Sequence, residues 1–62
     1  MIIEDEYILG HRLERMISKI RPSWTLSCRT AGVEESVEAL GSHEVDLIFM
    51  DIELSDGSCF EI

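Results

Sequence analysis

The sequence predicts an α/β domain built on an open parallel sheet, with its elements in the order strand, helix, strand, helix, strand. Two segments carry apolar residues at helical spacing, and three short segments rich in apolar, β-branched and aromatic residues alternate with them. The connections are long enough for the strands to pair in parallel, and right-handed crossovers are the strong default. The 62 residues suffice for one domain at most.

The first strand and the first helix are predicted at about residues 1–4 and 6–20. The apolar triplet MII runs directly into the acidic triplet EDE, as at the end of a strand. Acidic residues at the start of the helix and basic residues near its end complement the helix dipole, and Pro22 stops the helix. The predicted buried face of this helix consists of Ile8, Leu9, Leu13, Met16, Ile17 and Ile20.

The remaining elements are a second strand, a second helix and a third strand. The second strand is expected at about residues 24–28, where apolar and polar residues alternate. The second helix is expected at about residues 33–40, closed by Gly41 as a left-handed cap residue. The third strand, at about residues 45–51, is a nearly continuous apolar run that suits burial on both faces. The large aromatic side chains expected in the core are Trp24, Phe49 and Phe60.

The composition excludes several classes of function. The formal net charge is −8, from 13 acidic and 5 basic residues, so this segment offers no basic surface for direct nucleic-acid binding. No apolar run approaches the roughly 18 residues of a membrane span. Cys28 and Cys59 are too few for a disulfide framework or a four-ligand zinc site. We therefore expect reduced thiols and a cytoplasmic location.

Three acidic residues stand at predicted strand ends. Glu4 and Asp5 end the first strand, and Asp51 ends the third. Ligands of open parallel sheets bind outside the carboxyl ends of the strands, so these carboxylates converge if the two strands are neighbours. Clustered carboxylates repel one another unless a cation lies between them, and hard oxygen ligands suit Mg²⁺. A carboxylate beside bound Mg²⁺ can attack a phosphoryl group and form an aspartyl phosphate.

Two motifs resemble those of a known family. The segment IIEDE, followed by an amphipathic helix, and the segment DLIFMDIELSDGSCFEI resemble the first and third strand ends of two-component response regulator receiver domains. Within that family the second segment is most similar to receivers of LytTR-type regulators. The resemblance implies that Asp51 is the phosphoacceptor and Asp5 a direct Mg²⁺ ligand. It also implies that Glu4 acts on the metal through water and that the backbone carbonyl of Glu53 is a further ligand.

The same resemblance implies a fold, partners and a role. The fold would be flavodoxin-like, with the strand order 2-1-3 in this portion of the sheet. A histidine kinase would donate the phosphoryl group, and a DNA-binding output domain in a longer protein would respond to it. The role would be that of a switch in signal transduction and not that of an enzyme with turnover.

The sequence departs from the receiver family in three ways. Ser55 stands where the family often has proline, and only three residues precede the first acidic residue. The family's Thr or Ser after strand 4, its Lys after strand 5 and its last helices have no counterpart. Lys19 cannot replace that lysine, because it lies near the far end of the first helix. We therefore expect the N-terminal half of a receiver, whose open third strand is a route to dimers or strand swapping.

Two other functions compete with the phosphoacceptor. One is an interaction module that works without phosphorylation, as a degenerate or truncated receiver. The other is a haloacid-dehalogenase-like phosphatase, whose nucleophilic Asp also follows an apolar strand. That family requires a second Asp two residues later, where this chain has Glu53, and it gives no role to Glu4 and Asp5. Farther along the chain, Asp56 and Gly57 are expected to be turn residues.

Overall fold

The computed structural model describes all 62 residues and shows a small α/β fold with a three-stranded parallel sheet. The strands of this sheet lie in the order β2-β1-β3, which confirms the predicted order. Two helices connect the strands, and neither is long and apolar enough to cross a membrane. In chain order the elements are β1 (Ile2–Ile3), α1 (Tyr7–Ile20), β2 (Arg29–Thr30), α2 (Val33–Leu40) and β3 (Phe49–Met50).

The central strand β1 holds the sheet together. Ile2 is paired with Arg29 on one side and with Phe49 on the other, both in parallel register. Both isoleucines of β1 are fully buried, each with only 1% of its surface exposed. The backbone pairing continues past the end of β1, because the amide of Glu4 donates to the carbonyl of Thr30 at 3.0 Å. The two outer strands are therefore positioned by a very short middle strand.

The predicted bounds of the second and third strands are wrong. The pairing of the second strand starts where the Ile2 amide donates to the Cys28 carbonyl at 3.1 Å, so β2 follows residues 24–28 instead of covering them. The third strand is Phe49–Met50, a fraction of the predicted residues 45–51, although its backbone hydrogen bonds to residues 1–3 extend from Leu47 to Asp51. The physical reason is the length of β1, whose two residues give each neighbouring strand only two residues in strand register.

The helices agree more closely with the prediction. α1 begins one residue later than predicted, after Glu6 as its N-cap, and α2 has the predicted bounds. The predicted left-handed conformation of Gly41 is wrong, since this C-cap residue has a right-handed helical φ of −73°. Gly10 is buried against the rest of the fold, and Leu13 and Ile17 are half-buried. The rest of the predicted buried face of α1 is exposed, because a narrow sheet covers only one side of the helix. The exposed residues are Ile8, Leu9, Met16 and Ile20.

The hydrophobic core is small. Met1, Ile3 and Leu54 form its buried cluster. Partly buried side chains from α2, from the segments before β2 and β3, and Ile62 pack around it. The prediction that Trp24 and Phe60 lie in the core is wrong, since Trp24 is 50% and Phe60 88% exposed. Trp24 instead borders a cavity of about 620 Å³ that is lined by α1 and by the segments leading into β2 and β3.

The third strand is not buried on both faces, contrary to the prediction. Phe49 is half-buried, whereas Leu47 and Met50 are 48% and 40% exposed. The small core leaves these side chains partly uncovered. β3 is also an edge strand, with no other strand on its outer side. Such an edge presents unpaired backbone groups to the surroundings.

A β-hairpin follows the sheet and contacts α2. Its strands, β4 (Glu53–Leu54) and β5 (Gly57–Ser58), are antiparallel and are joined by the turn at residues 55–56. Gly57 has a φ of +153°, a backbone conformation that residues with a side chain rarely adopt. A short 3₁₀ helix follows at Cys59–Glu61. The Asp56 carboxylate accepts hydrogen bonds from the amides of Val33 and Glu34, at 2.8 and 3.4 Å.

Asp56 therefore acts as a cap for α2 from a distant part of the chain. The N-cap residue of this helix is Gly32, which has no side chain that could accept hydrogen bonds from the free amides of the first turn. The hydrogen bond from the Val33 amide outweighs partial desolvation and, with that from Glu34, lowers the pKa of Asp56. Gly32 must be small here, because a Cβ atom at this position would lie 2.8 Å from an Asp56 oxygen.

Two buried hydroxyl groups join β2 to α2. The Ser36 hydroxyl donates to the Gly32 carbonyl at 2.5 Å, and the hydroxyl oxygens of Thr30 and Ser36 lie 2.6 Å apart. Since the single Ser36 proton is used on Gly32, Thr30 is the donor of the second hydrogen bond. Both side chains are buried, Ser36 completely, so both need these partners.

Replacing Asp56 by Ala should lower the thermal midpoint of the chain at neutral pH, because the first turn of α2 loses its acceptor. The pKa of Asp56 is lowered by folding, so its contribution is complete above the ordinary Asp pKa of about 3.9 and disappears as the pH falls through the lowered value. Thermal unfolding of wild type and Asp56→Ala at pH 7 and pH 3 measures this. A midpoint difference of equal size at both pH values would contradict the capping role. Asp46→Ala, an exposed acidic residue with no side-chain hydrogen bond, is the matched control.

Replacing Ser36 by Ala should reduce the free energy of unfolding by about 1–3 kcal/mol, because Thr30 is left as a buried donor without a partner. The double variant Thr30→Val with Ser36→Ala should lose less than the sum of the two single variants, since neither hydroxyl then remains unpaired. Urea unfolding of the wild type and the three variants gives the free energies of unfolding, and hence the coupling energy between the two hydroxyls. If the losses of the two single variants add up to that of the double variant, the two hydroxyls act independently.

Candidate functional site

Three carboxylates meet at the carboxyl ends of β1 and β3. One side-chain oxygen from each of Glu4, Asp5 and Asp51 lies within 4.8 Å of the other two. Glu4 and Asp51 are half-buried, and Asp5 is exposed. The side chains that the sequence places at two strand ends are thus brought together by the fold. We refer to these three residues as the acidic cluster.

The parallel pairing of the strands positions the acidic cluster. The Asp51 amide donates to the Ile3 carbonyl at 3.1 Å, so the backbone of Asp51 is fixed beside the last residue of β1. The Glu4 amide is held in the same way by Thr30 on the other side of β1. The Glu4 side chain is oriented in turn by the Glu6 amide, which donates to Glu4 Oε1 at 3.2 Å.

The charges of the cluster affect the pKa of Glu4. The hydrogen bond from the Glu6 amide favours the charged carboxylate and by itself lowers this pKa. Partial desolvation, hydrogen bonding with the Asp5 carboxyl, and the negative charges of Asp51 and Asp5 act in the opposite direction. Together they outweigh the amide, and the pKa of Glu4 is raised. The cluster therefore holds negative charge against mutual repulsion.

Arg29 lies beside the acidic cluster and contacts the start of α1. Its guanidinium group donates to Glu14 Oε1 at 2.9 Å and to the backbone carbonyl of Tyr7 at 3.2 Å. It also lies 4.9 Å above the centre of the Tyr7 ring, within the range of a cation–π contact. A cavity of about 280 Å³ next to this guanidinium is lined by Glu4, Asp5 and Arg29, among others.

Sequence reasoning missed Arg29. Its ion-pair partner Glu14 precedes it by 15 residues, on the other side of a helix end and a loop, so no local spacing connects the two. Opposite charges alone are no signal in a chain with 29% charged residues. Only the packing of α1 against β2 shows that the two residues meet.

The other predicted site residue lies on the hairpin. Glu53 is in β4, paired with Ser58, and its side chain is exposed and outside the acidic cluster. Its suggested role uses the backbone carbonyl, and this role stays a prediction. Lys19 lies in the last turn of α1, whereas the acidic cluster is next to the first turn.

The donor set of the acidic cluster suits a small divalent cation. Its three carboxylates offer hard oxygen ligands, which are the ligands that Mg²⁺ prefers, and they follow two neighbouring strands at the carboxyl ends of the sheet. Exposed acidic groups also occur without any ion. The geometry therefore permits a cation between the carboxylates without requiring one.

Comparison with known proteins adds no relative: no family model, no curated protein and no solved structure matches this chain. The geometry and charge of the acidic cluster, together with the motifs of the sequence, are therefore the basis on which a function is argued.

Replacing Asp51 by Asn should lower the pKa of Glu4, because one of the negative charges that raise this pKa is removed. Carboxyl ¹³C titration by NMR measures the pKa of Glu4 in both proteins.

In the wild type, the raised pKa of Glu4 means that the folded state binds the Glu4 proton more tightly than the unfolded state does. The contribution of Glu4 to stability therefore falls as the pH rises above the ordinary Glu pKa of about 4.3. An unchanged Glu4 titration in Asp51→Asn would show that the two carboxylates do not interact.

Proposed function

We propose that this chain is a phosphoacceptor signalling module of the receiver type, in which Asp51 takes a phosphoryl group in the presence of Mg²⁺. The observation that carries the proposal is the convergence of Glu4, Asp5 and Asp51 within 4.8 Å at the carboxyl ends of β1 and β3. The parallel order β2-β1-β3 supports it, since this order is compatible with the flavodoxin-like sheet of receivers. The motif around Asp51, most similar to that of LytTR-type regulators, supports it further.

The residues of the proposed cation site divide into direct and indirect ligands. Asp5 and Asp51 would bind Mg²⁺ directly, Glu4 would act through a water molecule, and Glu53 would contribute its backbone carbonyl. When bound, the cation would cancel part of the negative charge that otherwise repels an incoming phosphoryl group. The pKa of Glu4 is raised first by partial desolvation and by the hydrogen bond with Asp5, and then by the negative charges of Asp51 and Asp5, which a cation would offset.

The chemistry at Asp51 is a phosphoryl transfer. A carboxylate oxygen of Asp51 attacks the phosphorus atom of a phosphohistidine, and the bond between phosphorus and the imidazole nitrogen breaks. The electron pair of that bond leaves with the imidazole, and Asp51 becomes an acyl phosphate. The chain contributes position, because the Asp51 amide is fixed on the Ile3 carbonyl while the half-buried carboxylate keeps access to solvent.

This function requires partners. A cytoplasmic histidine kinase would supply the phosphoryl group, and an output domain, DNA-binding by analogy with LytTR-type regulators, would respond in a longer protein. The chain itself would not bind nucleic acid, since its net charge of −8 repels phosphate backbones.

An interaction module that works without phosphorylation is the second candidate. The open edge of β3 favours it, because Leu47 and Met50 expose apolar surface beside unpaired backbone groups. Such a module would associate through the strand edge, as a dimer or by strand exchange. The convergence of the acidic cluster has no role in this alternative, so we rank it second.

Incubation with acetyl phosphate and Mg²⁺ should add one phosphoryl group to the wild-type chain, seen as a single increment in the intact mass. The increment should be absent from Asp51→Asn, because the amide oxygen is a much weaker nucleophile, and hydroxylamine should remove it from the wild type, because it cleaves acyl phosphates. Chelation of Mg²⁺ should prevent its formation.

Asp46→Asn is the matched control, since it removes the same charge five residues earlier, outside the acidic cluster. This variant should gain the increment like the wild type. An increment that persists in Asp51→Asn, or that never forms in the folded wild type, argues against the phosphoacceptor. Concentration-dependent dimers without any increment would favour the interaction module.

A further inference from the structure

The acidic cluster needs a restraint, because its carboxylates repel one another. Backbone hydrogen bonds hold Glu4 to Thr30 and Asp51 to Ile3. Asp5 has no such bond and lies in the short connection between β1 and α1. Its position therefore depends on where α1 begins.

Arg29 fixes the start of α1 onto β2. Its backbone is paired with Ile2, so its Cα position is set by the sheet. Its side chain spans the helix surface, with one nitrogen on Glu14 and another on the Tyr7 carbonyl, which belongs to the first residue of α1. These contacts tie the first and second turns of the helix to the strand. We call this set of contacts the Arg29 clamp.

The close approach of α1 at Gly10 shows how near the clamp lies to the acidic cluster. A Cβ atom at Gly10 would be 3.4 Å from Arg29 Nη2 and 3.6 Å from Glu4 Cβ. The guanidinium group and the Glu4 side chain thus contact the same point of the helix. The side chains of Arg29 and Glu14 are 23% and 36% exposed, so their ion pair is partly shielded from solvent.

We infer that Arg29 is a positioning residue for the cation site: its clamp on Tyr7 and Glu14 fixes the start of α1 and thereby keeps Asp5 and Glu4 in reach of Asp51. This inference rests on the proposed function. Arginine suits the task because its planar group binds two acceptors at once in a fixed geometry, whereas lysine offers a single flexible ammonium group. In this role Arg29 acts through the helix and is assigned no contact with the cation or the phosphoryl group.

The effect of Arg29 on cation affinity has a diagnostic sign. By Coulomb's law alone, removing a positive charge next to carboxylates strengthens the binding of Mg²⁺. Loss of a positioning contact weakens it, typically by about 10-fold for groups that orient metal ligands. The two explanations therefore predict opposite changes.

The test is a titration of the chain with Mg²⁺ alone at neutral pH, followed by the NMR amide signals of Asp5 and Asp51. Arg29→Met should bind Mg²⁺ about 10-fold more weakly than the wild type. Arg29→Lys keeps the charge but not the two-acceptor geometry, so it too should bind more weakly. Arg12→Met, an exposed arginine on the outer face of α1, is the matched control and should stay within a factor of about two.

Unchanged or tighter binding by a folded Arg29→Met overturns the inference, and so does an equal loss in Arg12→Met. If Arg29→Met has no dispersed spectrum, Arg29→Lys decides, and wild-type affinity in that variant overturns the clamp. A wild type whose Asp5 and Asp51 signals do not respond to Mg²⁺ overturns the proposed cation site and the clamp together. Failure of the clamp alone is distinguishable, because the wild type then still binds.

Discussion

The parallel pairing of β1 with both of its neighbours is the constraint on which the rest of this structure depends. Only Ile2 and Ile3 form the strand, and both are almost completely buried. Their backbone groups bind β2 on one side and β3 on the other. Because all three strands are parallel, their carboxyl ends lie together at one end of the sheet. Acidic residues that follow two of these strands must then meet. The local concentration of charge is thus a direct consequence of the sheet topology.

Charge repulsion drives the residues of the acidic cluster apart, whereas the surrounding contacts hold them together. Like charges at this separation disfavour one another, and the charges of Asp51 and Asp5 add to partial desolvation in raising the pKa of Glu4. The fold resists the repulsion with backbone hydrogen bonds and, in our proposal, with the Arg29 clamp on α1. A site of this kind gains most from a bound cation, because the repulsion becomes attraction to a common charge. The geometry therefore supports the proposed phosphoacceptor more directly than the composition does.

Contacts between residues distant in sequence also join the hairpin after Asp51 to α2 and, through α2, to β2. Asp56 caps α2, and α2 is bound to β2 through the hydroxyls of Thr30 and Ser36. The segment that follows the proposed phosphoacceptor is therefore connected to β2, the strand that carries Arg29. These links use polar groups, since the buried apolar cluster contains only three residues.

The sequence by itself determined the fold class, the bounds of α2, the strand order and the identity of the acidic residues at the strand ends. Periodicity and strand-end acids are local signals, and the order 2-1-3 came with the resemblance to receivers. Only the tertiary structure decided how many residues pair, because pairing depends on the length of β1 and not on the apolar run around Phe49. It also decided that Trp24 and Phe60 are exposed, and that Arg29 and Asp56 have partners 15 and 23 residues away. Such contacts leave no periodic signal in a sequence, since they arise only when separate elements pack together.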